Sequence, residues 1–236
     1  METFNEYLSE KGIEGESKNK FHYTQNIAGG SGITIGRGLD LAKNNEWDLK
    51  KLGISETVIN KLKDYIGLIG DDAKKHHGAK SPLTRDEYIH VIEKTVNSNL
   101  ETIEKKFNND SKIGSFKSLP KRLQYMIGSV YFQMGTSDPA KTAPGFWNQV
   151  TTGNWGALEK NMKDFGMKQT VEDKKTGKFK EVEFDAGNNR RRLEWKMLED
   201  SGWSVEKLNQ NYKPKIKDEA SLIQNWKIED NPFNLA

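Results

Sequence analysis

The chain of 236 residues contains no cysteine at all. Disulfides, thiolate nucleophiles and zinc–thiolate centres are therefore excluded from its chemistry. It is also short of apolar residues, at 34%, and no run approaches the roughly 20 consecutive apolar residues of a membrane-spanning helix. Charge of one sign is not in excess: 37 bases stand against 34 acids, a net charge of +3, so nothing in the charge balance calls for a nucleic-acid partner. Proline is scarce, with 6 residues. The start, Met1-Glu2-Thr3-Phe4, lacks the basic and apolar stretches of a signal peptide. Against these absences stand 6 Trp, 7 Tyr and 10 Phe, enough to furnish a core. The expectation is a globular protein made in the cytoplasm, with its charge on the surface.

Helical periodicity dominates the pattern. Phe4, Tyr7 and Leu8 share a helical face that Gly12 would end, and Val58, Ile59, Leu62, Tyr65 and Ile66 form another. Thr84 and Glu87 have capping-box spacing and open the longest predicted helix, with Tyr88, Val91, Ile92, Thr95, Val96, Leu100, Ile103 and Phe107 on one side. Pro120 precedes an apolar helix through Leu123, Met126, Ile127, Val130 and Tyr131. Further helices are expected around 146–150, 155–165 and 188–198, with Gly202 as the last stop. Charged alternating stretches flank Thr176-Gly177, which predicts an exposed hairpin or loop over 168–186. These elements predict one α+β domain over residues 1–203, mainly helical with a small N-terminal β element, and a polar extension over 204–236.

The segment from Gly12 to Leu41 has a different character, rich in glycine and carrying one short β-type run. Glu14 sits between Ile13 and Gly15, where apolar neighbours would make a carboxyl group harder to ionise, as a general acid near neutral pH requires. On residues alone a solvated turn acid is the ordinary alternative. Thr34 alternates with Ile33 and Ile35, so on a strand it faces away from both. Asp40 follows six positions later; on an extended ribbon the two side chains would be about 20 Å apart, too far to share a water. Gly36 and Gly38 around Arg37 can fold the chain back, either as part of a site or as an ordinary hairpin turn.

Glu14-Gly15 after a short helix, then Gly32-Ile33-Thr34-Ile35-Gly36-Arg37-Gly38-Leu39-Asp40-Leu41, resembles the active-site segment of the phage lysozyme superfamily, closest to its pesticin-like bacterial toxins and related endolysins. Leu83-Thr84, Leu119-Pro120, Tyr131 to Gly135 and Asn189 to Glu194 are weaker echoes, so that the resemblance runs over about residues 1–203. It implies a lysozyme-like fold with a small β-lobe, a long connecting helix and a helical C-terminal lobe. It also implies an N-acetylmuramidase that hydrolyses the β-1,4 bond between N-acetylmuramic acid and N-acetylglucosamine in peptidoglycan. By the same resemblance Glu14 is the general acid, Asp40 the carboxylate opposite it and Thr34 the holder of the attacking water. In the phage lysozymes themselves the aspartate precedes the threonine; the order here is that of the pesticin-like branch. His22 and Asn26 lie between the two halves of the motif and are further contributors. Arg37 is a candidate contact for a muramyl carboxylate or peptide stem, or else a solvated turn residue.

No cofactor and no metal are called for. Adjacent His76 and His77 point about 100° apart on a helix and are read as a solvated loop pair. Trp147 and Trp155 are read as core, and Arg190 to Arg192 as pairing with acids on neighbouring helices. The expected partner is bacterial peptidoglycan, with an immunity protein if the chain is a toxin, and the expected state is a monomer. Such an enzyme, made without a signal peptide, would reach the periplasm or cell wall through a holin, a lysis event or an injection machine. The competing function is a catalytically silent peptidoglycan-binding or interaction domain that kept the fold.

Overall fold

The computed structural model describes residues 2–9, 19–23, 32–133, 138–164, 168–172, 179–183 and 185–214. Helix α1 (Phe4–Ser9) leads into strands β1 (Phe21–Tyr23), β2 (Ile33–Ile35) and β3 (Leu39–Asp40). Three short helices follow, α2 (Glu46–Lys51), α3 (Glu56–Leu62) and α4 (Gly70–Lys74), before the long α5 (Arg85–Asp110). Helices α6 (Lys121–Gln133), α7 (Pro139–Thr142), α8 (Pro144–Thr152) and α9 (Trp155–Lys163) come next. A hairpin of β4 (Lys168–Glu172) and β5 (Phe179–Glu183) then precedes α10 (Asp185–Asp200) and α11 (Val205–Asn211). The fold is α+β and mainly helical, with a small antiparallel sheet ordered β1-β2-β3, as the sequence led one to expect.

Sequence chemistry sets the helix ends. The Thr84 side chain accepts from the Glu87 amide and the Glu87 carboxylate accepts from the Thr84 amide, closing the capping box that starts α5. Asn45 and Asp48 make the same reciprocal pair at the start of α2, and Ser55 caps α3. Gly153 ends α8 in the left-handed region, at φ 72°.

Two apolar cores flank α5. The first gathers Phe4, Tyr7 and Leu8 of α1, Phe21, Ile33, Ile35 and Leu39 of the sheet, α3, and Tyr88, Val91, Ile92 and Val96 from the N-terminal half of α5. The second gathers Ile103 and Phe107 from the C-terminal half of α5 with α6, α8, α9, α10 and Leu208 of α11; Trp147, Trp155 and Trp195 are buried in it. Leu100 of α5 packs against both. The expected division between residues 203 and 204 falls in the connection before α11, which packs on α9 while Trp155 Nε1 donates to the Tyr212 carbonyl at 3.1 Å.

A buried polar cluster ties α10 to α6. Glu194 takes Arg190 Nε at 3.1 Å, Nη1 of the buried Arg191 and the Ser129 hydroxyl, and Arg190 Nη2 donates to Ser129 Oγ at 2.7 Å. Arg190 and Arg191 thus pair with an acid on their own helix, four and three residues on. Tyr7 of α1 is wholly buried, and burial, reinforced by the negative charge of Glu194, holds its phenol neutral well beyond the ordinary tyrosine range.

Candidate functional site

The glycine-flanked turn does fold the chain back. Gly36 and Gly38 have φ of 61° and 87°, the left-handed region that a β-branched residue resists. Ile35 then pairs with Leu39, and Thr34 with Asp40. Residues directly opposite on antiparallel strands project to the same face, with Cβ atoms about 4.5–5.5 Å apart. The six-residue separation that would span about 20 Å on an extended ribbon is closed to one cross-strand pair. On the other flank of β2, Thr34 pairs with His22. His22, Thr34 and Asp40 therefore form a single row across the three strands, with Ile33 and Ile35 buried on the opposite side.

The Asp40 carboxylate is oriented locally. Its Oδ1 accepts from the Ala42 amide at 2.9 Å, the aspartate turn in which a side chain bonds the backbone two residues on. Lys43 Nζ stands 3.7 Å from Oδ2, and Asn44 Nδ2 donates to the Asp40 carbonyl at 2.7 Å. The carboxylate is half-buried and its direction is fixed. Asp40-Leu41-Ala42 carried this turn signal in its sequence; the part played by Lys43 had no local signature.

The turn is pressed into the helices. A Cβ on Gly36 would lie 2.6 Å from Ile92 Cγ1 of α5, and one on Gly38 would lie 3.1 Å from the Phe132 ring of α6. Phe132, from the start of the Tyr131–Gly135 echo, packs against the hairpin tip. Arg37, the central residue of the turn, is only 7% exposed, and its Nη2 donates to Ser9 Oγ of α1 at 2.8 Å. Burial rules out the solvated turn residue considered for it, and Ser9 as its partner had no signal in the sequence.

Glu14 and Asn26 lie outside the described residues. His77 follows α4 and its Nδ1 accepts from the Tyr23 amide at 3.1 Å; its ring lies 6.5 Å from that of His22. His76 packs edge-on to Tyr65 at 5.2 Å. The two histidines lie in the turn after α4, His77 exposed to solvent as expected of a loop pair, and they also contact the outer strand, His77 through the Tyr23 amide and His76 through the Phe21 ring. A cavity of about 400 Å³ opens between α1, α5 and α6, lined by Thr3, Asn5, Asn97, Lys121 and Tyr125 among others, but none of the row residues borders it.

No curated protein matches the chain. Residues 5–156, more than half of its length, match the family described as pesticin, bacterial toxin homologue of phage lysozyme, C-terminal part. The match takes in the whole Glu14–Asp40 segment, the long helix and the first helices of the second core, and it agrees with the mainly helical α+β fold. A lysozyme-like family supports a glycoside hydrolase at the coarse level, acting on peptidoglycan. By its motif, its fold and this match, the chain belongs to the pesticin family of bacterial toxin homologues of phage lysozyme.

Proposed function

We propose that the protein is an N-acetylmuramidase that cleaves the β-1,4 bond between N-acetylmuramic acid and N-acetylglucosamine. Glu14 donates its proton to the departing glycosidic oxygen. Asp40 takes a proton from a water held by the Thr34 hydroxyl, and that water attacks the anomeric carbon from the opposite face. The observation that carries this reading is the direct pairing of Thr34 with Asp40 on one face of the sheet: a hydroxyl and an oriented carboxylate within reach of one water. His22, on the same row, would contact the sugar beside that water. A water-mediated displacement predicts inversion, with the Glu14 and Asp40 carboxyls about 6.5–9.5 Å apart rather than the 5–5.5 Å of a covalent route.

The test compares the wild type with Glu14→Gln on outer-membrane-permeabilised cells and on purified peptidoglycan. Because an amide has no proton to give, the variant should lose about 10²–10⁴-fold in rate with an unchanged melting curve. Borohydride reduction of the products should mark N-acetylmuramic acid as the new reducing end. Labelled N-acetylglucosamine ends, or anhydro ends formed without water, would overturn the assignment. Equal peptidoglycan binding by both proteins with clearing by neither would instead establish the silent binding domain.

A further inference from the structure

A muramidase of this plan draws its groups from two separate stretches: Glu14 follows α1, whereas Thr34 and Asp40 sit on the β2–β3 hairpin. We propose that Arg37 is the positioning residue that holds these two stretches in register, through Ser9, and that it does not contact the glycan. The proposal rests on the muramidase reading above.

Arg37 occupies the middle of the hairpin turn, so its side chain reports where the tip of the hairpin is. That side chain is buried rather than directed to solvent, and it reaches the last residue of α1, five positions before Glu14. The bond has a defined direction. Ser9 Oγ donates its own hydrogen to the Asn5 carbonyl at 3.0 Å, one turn back in α1, so its lone pair is presented to Arg37 Nη2 at 2.8 Å. A hydrogen bond from a charged donor is stronger and shorter than a neutral one, and a buried guanidinium is costly to move away from its acceptors. From the other side the tip is stopped by Ile92 and Phe132, which leave no room at Gly36 or Gly38 for even one carbon more without displacement. The hairpin is thus clamped between α5 and α6 on one side and tethered to α1 on the other. A shift of about 1 Å between reacting groups can cost 10²-fold in rate, so such a tether matters to turnover without touching substrate.

The experiment measures kcat and KM on soluble uncross-linked glycan strands for the wild type, Ser9→Ala, Ser9→Thr and Arg37→Met, together with melting curves and the amide resonances of residues 34–40. Ser9→Ala should lower kcat three- to tenfold with KM within twofold. Ser9→Thr, which keeps the hydroxyl, should recover most of the loss, and Arg37→Met should lose more than Ser9→Ala. In Ser9→Ala the Thr34 and Asp40 resonances should move although Ser9 is distant in sequence. A raised KM in Arg37→Met with Ser9→Ala silent would make Arg37 a substrate contact and overturn the proposal. Loss that merely follows the folded fraction, with kcat per folded molecule unchanged, would overturn it as well. If the wild type cleaves no glycan, the muramidase reading alone fails. The tether is then judged by the resonances: movement upholds it and none refutes it.

Discussion

The two cores on either side of α5 are built differently. Apart from the N-terminal half of α5, the first is assembled from short pieces, helices of 5 to 7 residues and strands of 2 or 3, each far below the about 12–15 residues at which an isolated helix becomes even marginal. Its elements exist because caps, glycine turns and neighbours hold them, and its buried side chains are largely aliphatic. The second core is filled by longer helices, α6 with 13 residues and α10 with 16, around Trp147, Trp155 and Trp195. Charge is treated differently too. Between α10 and α6 Glu194 answers Arg190 and Arg191, close enough to α1 to act on Tyr7 of the first core; on the hairpin, Asp40 is held by a backbone amide and kept half open. The Asp40 carboxylate is placed where a turn decides its position, while the self-satisfied charges sit where long helices pack.

The largest effect on stability should come from breaking that self-satisfaction. Glu194→Ala would leave Arg191 buried without its counter-charge, a loss of about 3–5 kcal/mol. Thermal unfolding should show a large drop in Tm, while the protein still folded at low temperature keeps its hairpin amide resonances. If those resonances collapse too, the two cores are not as separable as the comparison holds.

Next comes the opposite kind of damage. Gly36→Val places a branched side chain at positive φ and against Ile92, at about 2–3 kcal/mol. Here activity should suffer more than stability: lysis should fall at least tenfold at a temperature where circular dichroism shows a folded protein. Full activity would mean that the turn does not set the Thr34–Asp40 pair.

The smallest effect sharpens the electrostatic side of the comparison. Trp147 Nε1 donates to Asp110 Oδ2 at 2.7 Å, and this bond, with help from Lys106, holds the Asp110 carboxyl below its ordinary range. A depressed carboxylate contributes stability at neutral pH that is lost as the pH falls through the folded-state value. Trp147→Phe should therefore cost about 1 kcal/mol at neutral pH. The gap to wild type should narrow once the pH drops below the ordinary aspartate range. A gap that stays constant down to that acidity would assign the cost to packing alone.

Much of this frame was legible where the determinants are local. Thr84 and Glu87 announced α5, Pro120 announced α6, and Gly36 and Gly38 announced a turn because only a few residues tolerate its φ. The stretches around Thr176-Gly177 pair as read, Lys168 with Glu183 and Glu172 with Phe179. What escaped depends on partners far along the chain. β1 is held by the Ala79 carbonyl and by His77, more than 50 residues away, so nothing near Phe21 announced a strand. Helices α2 and α4 are too short for a period to show. Arg37 reads as a solvated cation in any composition-based view, and only the fold reveals that it is buried on Ser9. For the site, residue types and order were visible, and the hairpin supplied the missing fact, that Thr34 and Asp40 stand opposite each other.

That pairing carries an evolutionary consequence. Across a hairpin, which residue faces which is fixed by counting: Ile35 meets Leu39 and Thr34 meets Asp40 because three residues make the turn. A slip of one residue would set Leu39 or Leu41 opposite Thr34 in place of the carboxylate. Gly36 and Gly38 already resist substitution through their φ and through Ile92 and Phe132, and a single inserted or deleted codon would break the Thr34–Asp40 pairing as well. Which side chain faces Thr34 is thus stored as a length, the number of residues in the turn.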